Sequence, residues 1–146
     1  MPISEQKEEA IEANICEFLM MKGASLDKII SEGFYNAQKW YYQRRKSGFT
    51  NPGIADIIGV YEGMYFAIEV KKPSEMSFFD NSIEYLTQRF TDAQKRGISA
   101  ATLKKYWHAC EQRAFLDDKI RAGGIGFFAS SIEEVKQGFK EFNVII

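Results

Sequence analysis

Three charged residues within one short stretch, Asp56, Glu69 and Lys71, have the types and spacing that could support chemistry. Residues 53–72 consist of two apolar, β-branched runs on either side of a Glu-Gly pair, which is typical of a β-hairpin. If residues 62 and 63 form a two-residue loop, Asp56 lies directly opposite Glu69. Because side chains alternate between the faces of a strand, Lys71 then shares a face with both acids. A four-residue loop preserves this pairing, whereas a bulge or an odd-length loop would shift it.

Facing carboxylates repel one another and are normally avoided in sheets, so this pairing needs a reason. The other positions of the hairpin are largely apolar on both faces, and we therefore expect both faces to be covered. Two acids crowded into a half-buried place beside a lysine favour a hard divalent cation, which takes oxygen ligands and removes the repulsion. A purely structural hairpin with an exposed Glu69–Lys71 ion pair is the alternative. It leaves Asp56 opposite Glu69 unexplained.

This arrangement resembles the PD-(D/E)xK nuclease superfamily, in which an Asp on one strand precedes a Glu-x-Lys on the next. It is most similar to the virus-type replication-repair nuclease family, VRR-Nuc. The residues that carry the resemblance are Gly53-Ile54-Ala55-Asp56, the strand Ala67-Ile68-Glu69-Val70-Lys71, and Gln112 ahead of Gly123-Gly124. Ala55 departs from the family pattern, which has proline before the Asp. Proline there mainly sets backbone shape, so its loss leaves the chemistry intact.

The resemblance implies a Mg²⁺ or Mn²⁺ site and no organic cofactor. Its ligands would be the Asp56 and Glu69 carboxylates, the Val70 carbonyl and a glutamate of the N-terminal helix. Glu8 has the spacing to the first aliphatic position of that helix that the family shows.

Glu12 and Glu9 are the alternatives for this N-terminal glutamate. For each of the three, a solvated acid near the start of a helix is the competing explanation.

By the same resemblance, Lys71 would orient the attacking water or stabilise the transition state. Gln112 would line the active site and help to hold a phosphate or a water. Gln88 is the alternative, because an insertion after the Glu-x-Lys strand interrupts the alignment of this chain with the family pattern. An exposed helix glutamine is the competing explanation for Gln112.

The function implied is a divalent-metal-dependent endonuclease acting on DNA. Standalone members of the family resemble Holliday-junction resolvases, so branched DNA and a homodimer are the expected substrate and assembly, with a role in replication, recombination or repair. A catalytically silent nucleic-acid-binding or assembly module on the same fold is the alternative. The intact Asp56, Glu69 and Lys71 argue against it.

The chain has 146 residues, which allows one sizeable core and predicts a single domain over residues 1–146. No apolar run approaches membrane-spanning length, and Cys16 and Cys110 are expected to be buried thiols. We therefore expect an intracellular, cytoplasmic protein, in a host cell if its origin is viral. His108 is the only histidine and no Cys or His cluster exists, which argues against zinc.

The net charge of −1 does not by itself indicate a nucleic-acid binder, but the bases are unevenly distributed. Arg44, Arg45 and Lys46 form a basic block next to the aromatic run 34–43, and Lys72 follows the hairpin. These four bases are the candidates for phosphate contact. Solvated surface charge is the competing explanation.

The order of predicted elements is α-β-β-β-α-β, closed by a final helix, which predicts an α/β fold with a mixed sheet and helices on both sides. Such a core is also the restriction-endonuclease-like core of the nuclease superfamily. The first predicted elements are a helix from about Ser4 to Met21, a short helix over Leu26–Glu32, a strand over Phe34–Gln43 and the hairpin. After the hairpin we expect helices from about Ser82 to Lys95 and from about Ser99 or Ala101 to Arg121, a strand over Ile125–Ala129 and a helix after a capping box at residues 130–134. The tail 143–146 could add a last short strand. Residues 73–107 resemble a helical insertion after the Glu-x-Lys strand.

Overall fold

The computed structural model describes residues 6–27 and 54–146. In chain order, the elements are helix α1 (Glu8–Met21), strand β1 (Ser25–Leu26), strand β2 (Ile57–Tyr61), strand β3 (Met64–Val70), a 3₁₀ turn (Pro73–Glu75), helix α2 (Met76–Phe79), helix α3 (Ile83–Lys95), helix α4 (Ala100–Arg121), strand β4 (Ile125–Ala129) and helix α5 (Ile132–Glu141). The four strands form one mixed sheet in the order β1-β2-β3-β4.

The predicted hairpin and its register are confirmed. Tyr61 pairs with Met64, and the antiparallel pairing runs from there to Ile57 opposite Ile68. The two loop residues, Glu62 and Gly63, both have positive φ angles, of 50° and 80°. Positive φ at both loop positions gives a turn whose twist matches that of the strands, and glycine adopts it at little cost.

Strand β3 lies in the middle of the sheet, since β2 pairs with it antiparallel and β4 pairs with it parallel. Alternate residues of β3 enter two different cores. Phe66, Ile68 and Val70 face the core that α1 and α5 cover, whereas Ala67 faces the core beneath α3 and α4. The expected covering of both faces by helices is therefore confirmed.

Several predicted helix ends are confirmed. α3 begins after Ser82 and α4 after Ser99, and each serine side chain accepts a hydrogen bond from a backbone N–H of the first turn. α5 begins after Ser131, whose side chain accepts from the Glu134 N–H, while the Glu134 carboxylate accepts from the Ser130 N–H. In a standard capping box the glutamate accepts from the N–H of the N-cap residue, whereas Glu134 accepts from the N–H of the residue before the N-cap.

Three element predictions were wrong. α1 begins at Glu8 with no side-chain cap, not near Ser4, and Leu26 belongs to β1, so the predicted helix over Leu26–Glu32 does not begin there. The tail after α5 forms no strand at residues 143–146. The stretch directly after Pro73, for which no separate element was predicted, folds at once into the 3₁₀ turn and α2, because proline presets φ for a first helical turn. The predicted strand Phe34–Gln43 lies outside the described residues.

Gly138 gives a direct test of how tightly α5 packs on the sheet. A Cβ atom at this position would lie 2.5 Å from two ring atoms of Phe127 on β4. In an open helix, Gly→Ala stabilises by about 1 kcal/mol, whereas overpacking a core costs about 1–3 kcal/mol. We therefore expect Gly138→Ala to lower the free energy of unfolding by about 1–2 kcal/mol in urea denaturation.

The matched control is Gln137→Ala, at the exposed neighbouring position of the same helix. It should leave stability unchanged or raise it slightly, because alanine has the higher helix propensity. A stabilising Gly138→Ala would show that α5 can move away from Phe127 at no cost.

Candidate metal centre

Asp56 lies directly before β2, where β3 continues beyond its partner strand. Val70, near the end of β3, would lack a backbone partner on this side, and the Asp56 carboxylate accepts a hydrogen bond from its N–H at 2.8 Å. This bond fixes the Asp56 carboxylate at the end of the sheet. The N–H and C=O of one strand residue point toward the same neighbouring strand, so the Val70 carbonyl also faces the Asp56 side.

Glu69 is almost completely buried, with 2% of its surface exposed. Burial raises the pKa of its carboxyl group well above the usual range, the adjacent Asp56 carboxylate raises it further, and Lys71 partly opposes the shift. One of its oxygens, Oε2, is buried without a hydrogen-bond donor. Two groups that only accept hydrogen bonds when ionised thus meet at one place, and a proton or a cation must lie between them.

Gln112 on α4 holds the other oxygen of Glu69. Its side-chain nitrogen, Nε2, donates to Glu69 Oε1 at 2.8 Å and lies 3.2 Å from Nε2 of His108. Gln112 is 4% exposed, and its amide oxygen is also buried without a donor. An amide has two hydrogens to donate, so Gln112 can bond Glu69 and a neutral His108 together, and its oxygen remains as a further acceptor at the site.

Lys71 directly follows β3 and is buried on the same side of the sheet as Glu69. Its amine lies 4.0 Å from the centre of the Phe79 ring, and this cation–π contact stabilises a charge with little access to water. Lys71 interacts electrostatically with Glu69, Glu8 and His108. The hairpin, α1 and α4 therefore all contribute side chains around this amine.

Glu8 is the first residue of α1 and is half-buried. Burial raises the pKa of its carboxyl group, Lys71 lowers it, and Asp56 and Glu75 raise it again. The start of α1 thus lies beside the pair of acids. Glu8 interacts electrostatically with Asp56, whereas Glu9 is exposed and Glu12 is partly buried.

Two of the remaining predicted site residues, Lys72 and Gln88, belong to the described part of the chain. Lys72 is partly exposed and precedes the 3₁₀ turn, while Gln88 is exposed on α3 and donates to Asp92. Arg44, Arg45 and Lys46 lie outside the described residues.

His108 is the site residue that the sequence analysis missed. Although 57% of its side chain is exposed, partial desolvation of the ring lowers the pKa of His108 and Lys71 lowers it further, with Glu111 opposing. The ring is therefore neutral near pH 7 and can accept from Gln112. The signal in the sequence was its position one helical turn before Gln112, which puts both side chains on one face of α4.

The donor set fits a hard cation in part. Within the described ranges, no three His, Cys, Asp or Glu side chains come together as a ready-made metal cluster. The Asp56 and Glu69 carboxylates do meet, and Oε2 of Glu69 lacks any donor. Carboxylate and backbone carbonyl oxygens are the donors that Mg²⁺ and Mn²⁺ prefer. Asp56, Glu69 and the Val70 carbonyl are therefore the residues that would hold such an ion, with Glu8 nearby.

Comparison with known proteins gives no family. No model of a known protein family matches the chain, and no solved structure matches it. A 54-residue segment is 33% identical to part of the inhibitor of nuclear factor kappa-B kinase subunit alpha of Danio rerio. The match covers 37% of this chain and spans 7% of the length of that protein, so it shows neither a shared family nor a shared activity.

Over residues 6–27 and 54–146, no helix combines the length and the apolar composition that a transmembrane segment needs.

The pKa of Glu69 gives a prediction for the metal-free protein. A carboxyl group with a raised folded-state pKa binds its proton more tightly when folded, so its ionisation lowers stability as pH rises from its unfolded pKa through the folded value. Glu69→Gln removes this ionisation and can still accept from Gln112. We expect Glu69→Gln to melt at a higher temperature than the wild type at pH 8 in EDTA, with the difference shrinking toward pH 4.5.

Glu84→Gln, at an exposed position in the first turn of α3, is the matched control and should show no such pH-dependent difference. Equal melting temperatures for Glu69→Gln and wild type at every pH would contradict the assignment of a buried, strained carboxylate.

Proposed function

We propose that this chain is a divalent-metal-dependent nuclease that hydrolyses phosphodiester bonds of DNA. The observation that carries the proposal is the meeting of Asp56 and Glu69, with a buried Glu69 oxygen that has no donor and with the Lys71 amine beside them. A merely structural ion pair would pair Glu69 with Lys71 at the surface. Here Glu69 is buried, and its fixed contact is with the amide of Gln112.

Each side chain has a role that its position supports. Asp56, held by the Val70 N–H, and Glu69, held by Gln112, would bind Mg²⁺ or Mn²⁺ together with the Val70 carbonyl. The bound ion supplies Lewis-acid activation of water and neutralises charge on the phosphate. Lys71 donates hydrogen bonds to the attacking water or to the phosphate oxygens as negative charge develops. The buried oxygen of Gln112 accepts a hydrogen bond from that water.

The architecture also supports the proposal. The acids come from two antiparallel strands, β4 lies parallel to the Glu-x-Lys strand, and helices cover both faces of the sheet. This is the arrangement expected of a restriction-endonuclease-like core. On this basis we propose a structure-selective endonuclease of Holliday-junction-resolvase type, acting on branched DNA as a homodimer.

Three variants test the catalytic assignment. Asp56→Asn, Glu69→Gln and Lys71→Ala should each reduce Mg²⁺-dependent cleavage by about 10²–10⁴, because each removes several kcal/mol of charge stabilisation. Cleavage is measured on linear, flapped, single-stranded and four-way-junction DNA, with circular dichroism to verify folding. Glu84→Gln and Lys140→Ala, which remove one exposed charge of each sign, should cleave at the wild-type rate.

Cleavage retained by the Asp56 or Glu69 variant would reject the metal site. Calorimetric titration with Mg²⁺ separates the two functions considered for this fold, because a catalytically silent binding module needs no cation at the hairpin. We expect binding by the wild type and none by Glu69→Gln. DNA binding without any Mg²⁺ affinity would favour the binding module.

A further inference from the structure

A cluster of aromatic rings and cations lies next to Lys71, around the ring of Phe79. The Lys71 amine is 4.0 Å from the Phe79 ring centre, and the Lys105 amine is 5.7 Å from the same centre. The ring of Phe78 packs edge-on against Phe79. One buried ring thus connects the amine of the candidate metal centre with an amine of α4.

The cluster continues outward from Phe78. Lys105 also lies 5.4 Å from the Phe78 ring, which is tilted by 31° against Tyr106 at a distance of 4.9 Å. Arg89 on α3 reaches to 6.0 Å from the Tyr106 ring. Phe78 and Tyr106 are partly exposed, and Lys105 and Arg89 are exposed. All four belong to residues 73–107, the segment that the sequence analysis set apart as an insertion.

The two cations of this cluster have no ion-pair partner among the described residues. No carboxylate in the described ranges forms an ion pair with Lys105, its neighbour Lys104 or Arg89, whereas Arg113, Lys119 and Arg121, further along α4, each have an aspartate partner. Cations that lie over rings and lack an acid are available to an anionic partner. Lys105 stands seven residues before Gln112 on the same face of α4, so this surface is continuous with the candidate metal centre.

We propose that Lys105, Arg89, Phe78 and Tyr106 form a binding site for an unpaired nucleic-acid strand that leads into the metal centre. Lys105 and Arg89 contact its phosphates, and a splayed base stacks on the Phe78–Tyr106 rings. Rings accept bases of any sequence, but a base in a duplex has its faces covered by its neighbours, so the site selects an unpaired segment. The biological role of this site rests on the nuclease function proposed above. In that role, residues 73–107 hold the unpaired part of a branched or frayed DNA substrate.

Binding is measured on the full chain in EDTA, by fluorescence anisotropy with a labelled oligothymidylate and with a duplex of equal length. The double variant Arg89→Ala/Lys105→Ala should bind the single strand at least several-fold more weakly. Its plot of log affinity against log salt should be shallower by about 1.4, because each phosphate contact on a single strand contributes about 0.7 to the slope. The matched control Lys136→Ala/Lys140→Ala removes two exposed charges from α5, on the other face of the sheet, and should keep the wild-type slope.

Tyr106→Leu tests the stacking separately. It should weaken single-strand binding by about fivefold to a hundredfold without changing the salt slope, because a lost stacking partner carries no charge. An oligonucleotide containing 2-aminopurine gives a second readout, since stacking on a ring quenches its fluorescence. We expect quenching with the wild type and much less with Tyr106→Leu, after thermal unfolding has shown that the variant is folded.

The outcomes also separate this inference from the proposed function. Mg²⁺-dependent cleavage by a protein whose single-strand affinity is unchanged in both variants would overturn the strand site and leave the nuclease intact. Single-strand binding that depends on Lys105, Arg89 and Tyr106 in a protein that cleaves nothing would support the strand site and count against the nuclease. Equal weakening of duplex and single-strand binding, or no measurable binding to either, would overturn the strand site.

Discussion

The contact between Asp56 and Glu69 is the constraint around which the described structure is arranged. Both carboxyl groups lie at one end of the sheet, one at the start of β2 and the other on β3, and Glu69 is 2% exposed. The buried Glu69 and the partly buried Asp56 cannot satisfy each other when both are ionised, because each carboxylate then offers only acceptors. A positive charge or a proton must lie between the two groups. In the metal-free protein this is a proton on Glu69, whose pKa is raised.

The surrounding elements hold this unfavourable pair in place. Because β3 extends beyond the end of β2, the Val70 N–H lacks a backbone partner on that side, and it donates to the Asp56 carboxylate instead. From the opposite layer, α4 supplies Gln112 to Glu69. The other face of β3 is purely apolar and packs on α1 and α5. Burial of that face stabilises the sheet, and this stability can offset the cost of ionisable groups on the face with the acids.

The features predicted correctly from the sequence are those that depend on neighbouring residues alone. A Glu-Gly turn and a period of two fix the hairpin, so the pairing of position 56 with position 69 followed from the spacing. The capped start of α5 followed from the side-chain chemistry of residues 130–134. Local rules did not predict β1, because two residues carry no periodicity. Nor could they show that Gln112 reaches Glu69, a contact 43 residues apart that depends on how α4 crosses the sheet. His108 lies one turn before Gln112 on the same helix, and it was missed because it joins the site only through the contact that Gln112 makes with Glu69.

The position of the Phe79 ring shows how the segment after Pro73 affects chemistry that it does not itself perform. A lysine buried at 6% exposure next to two acids would ordinarily turn toward them, and a direct ion pair would neutralise the centre. The face of Phe79 offers the Lys71 amine a second favourable contact at 4.0 Å. Because α2 brings Phe79 there directly after the hairpin, the segment both keeps the amine at the edge of the acids and connects it with the exposed cations of α3 and α4. A segment that only lengthened the chain would need neither the buried Phe79 ring nor the Lys105 and Arg89 side chains, which have no acid partner among the described residues.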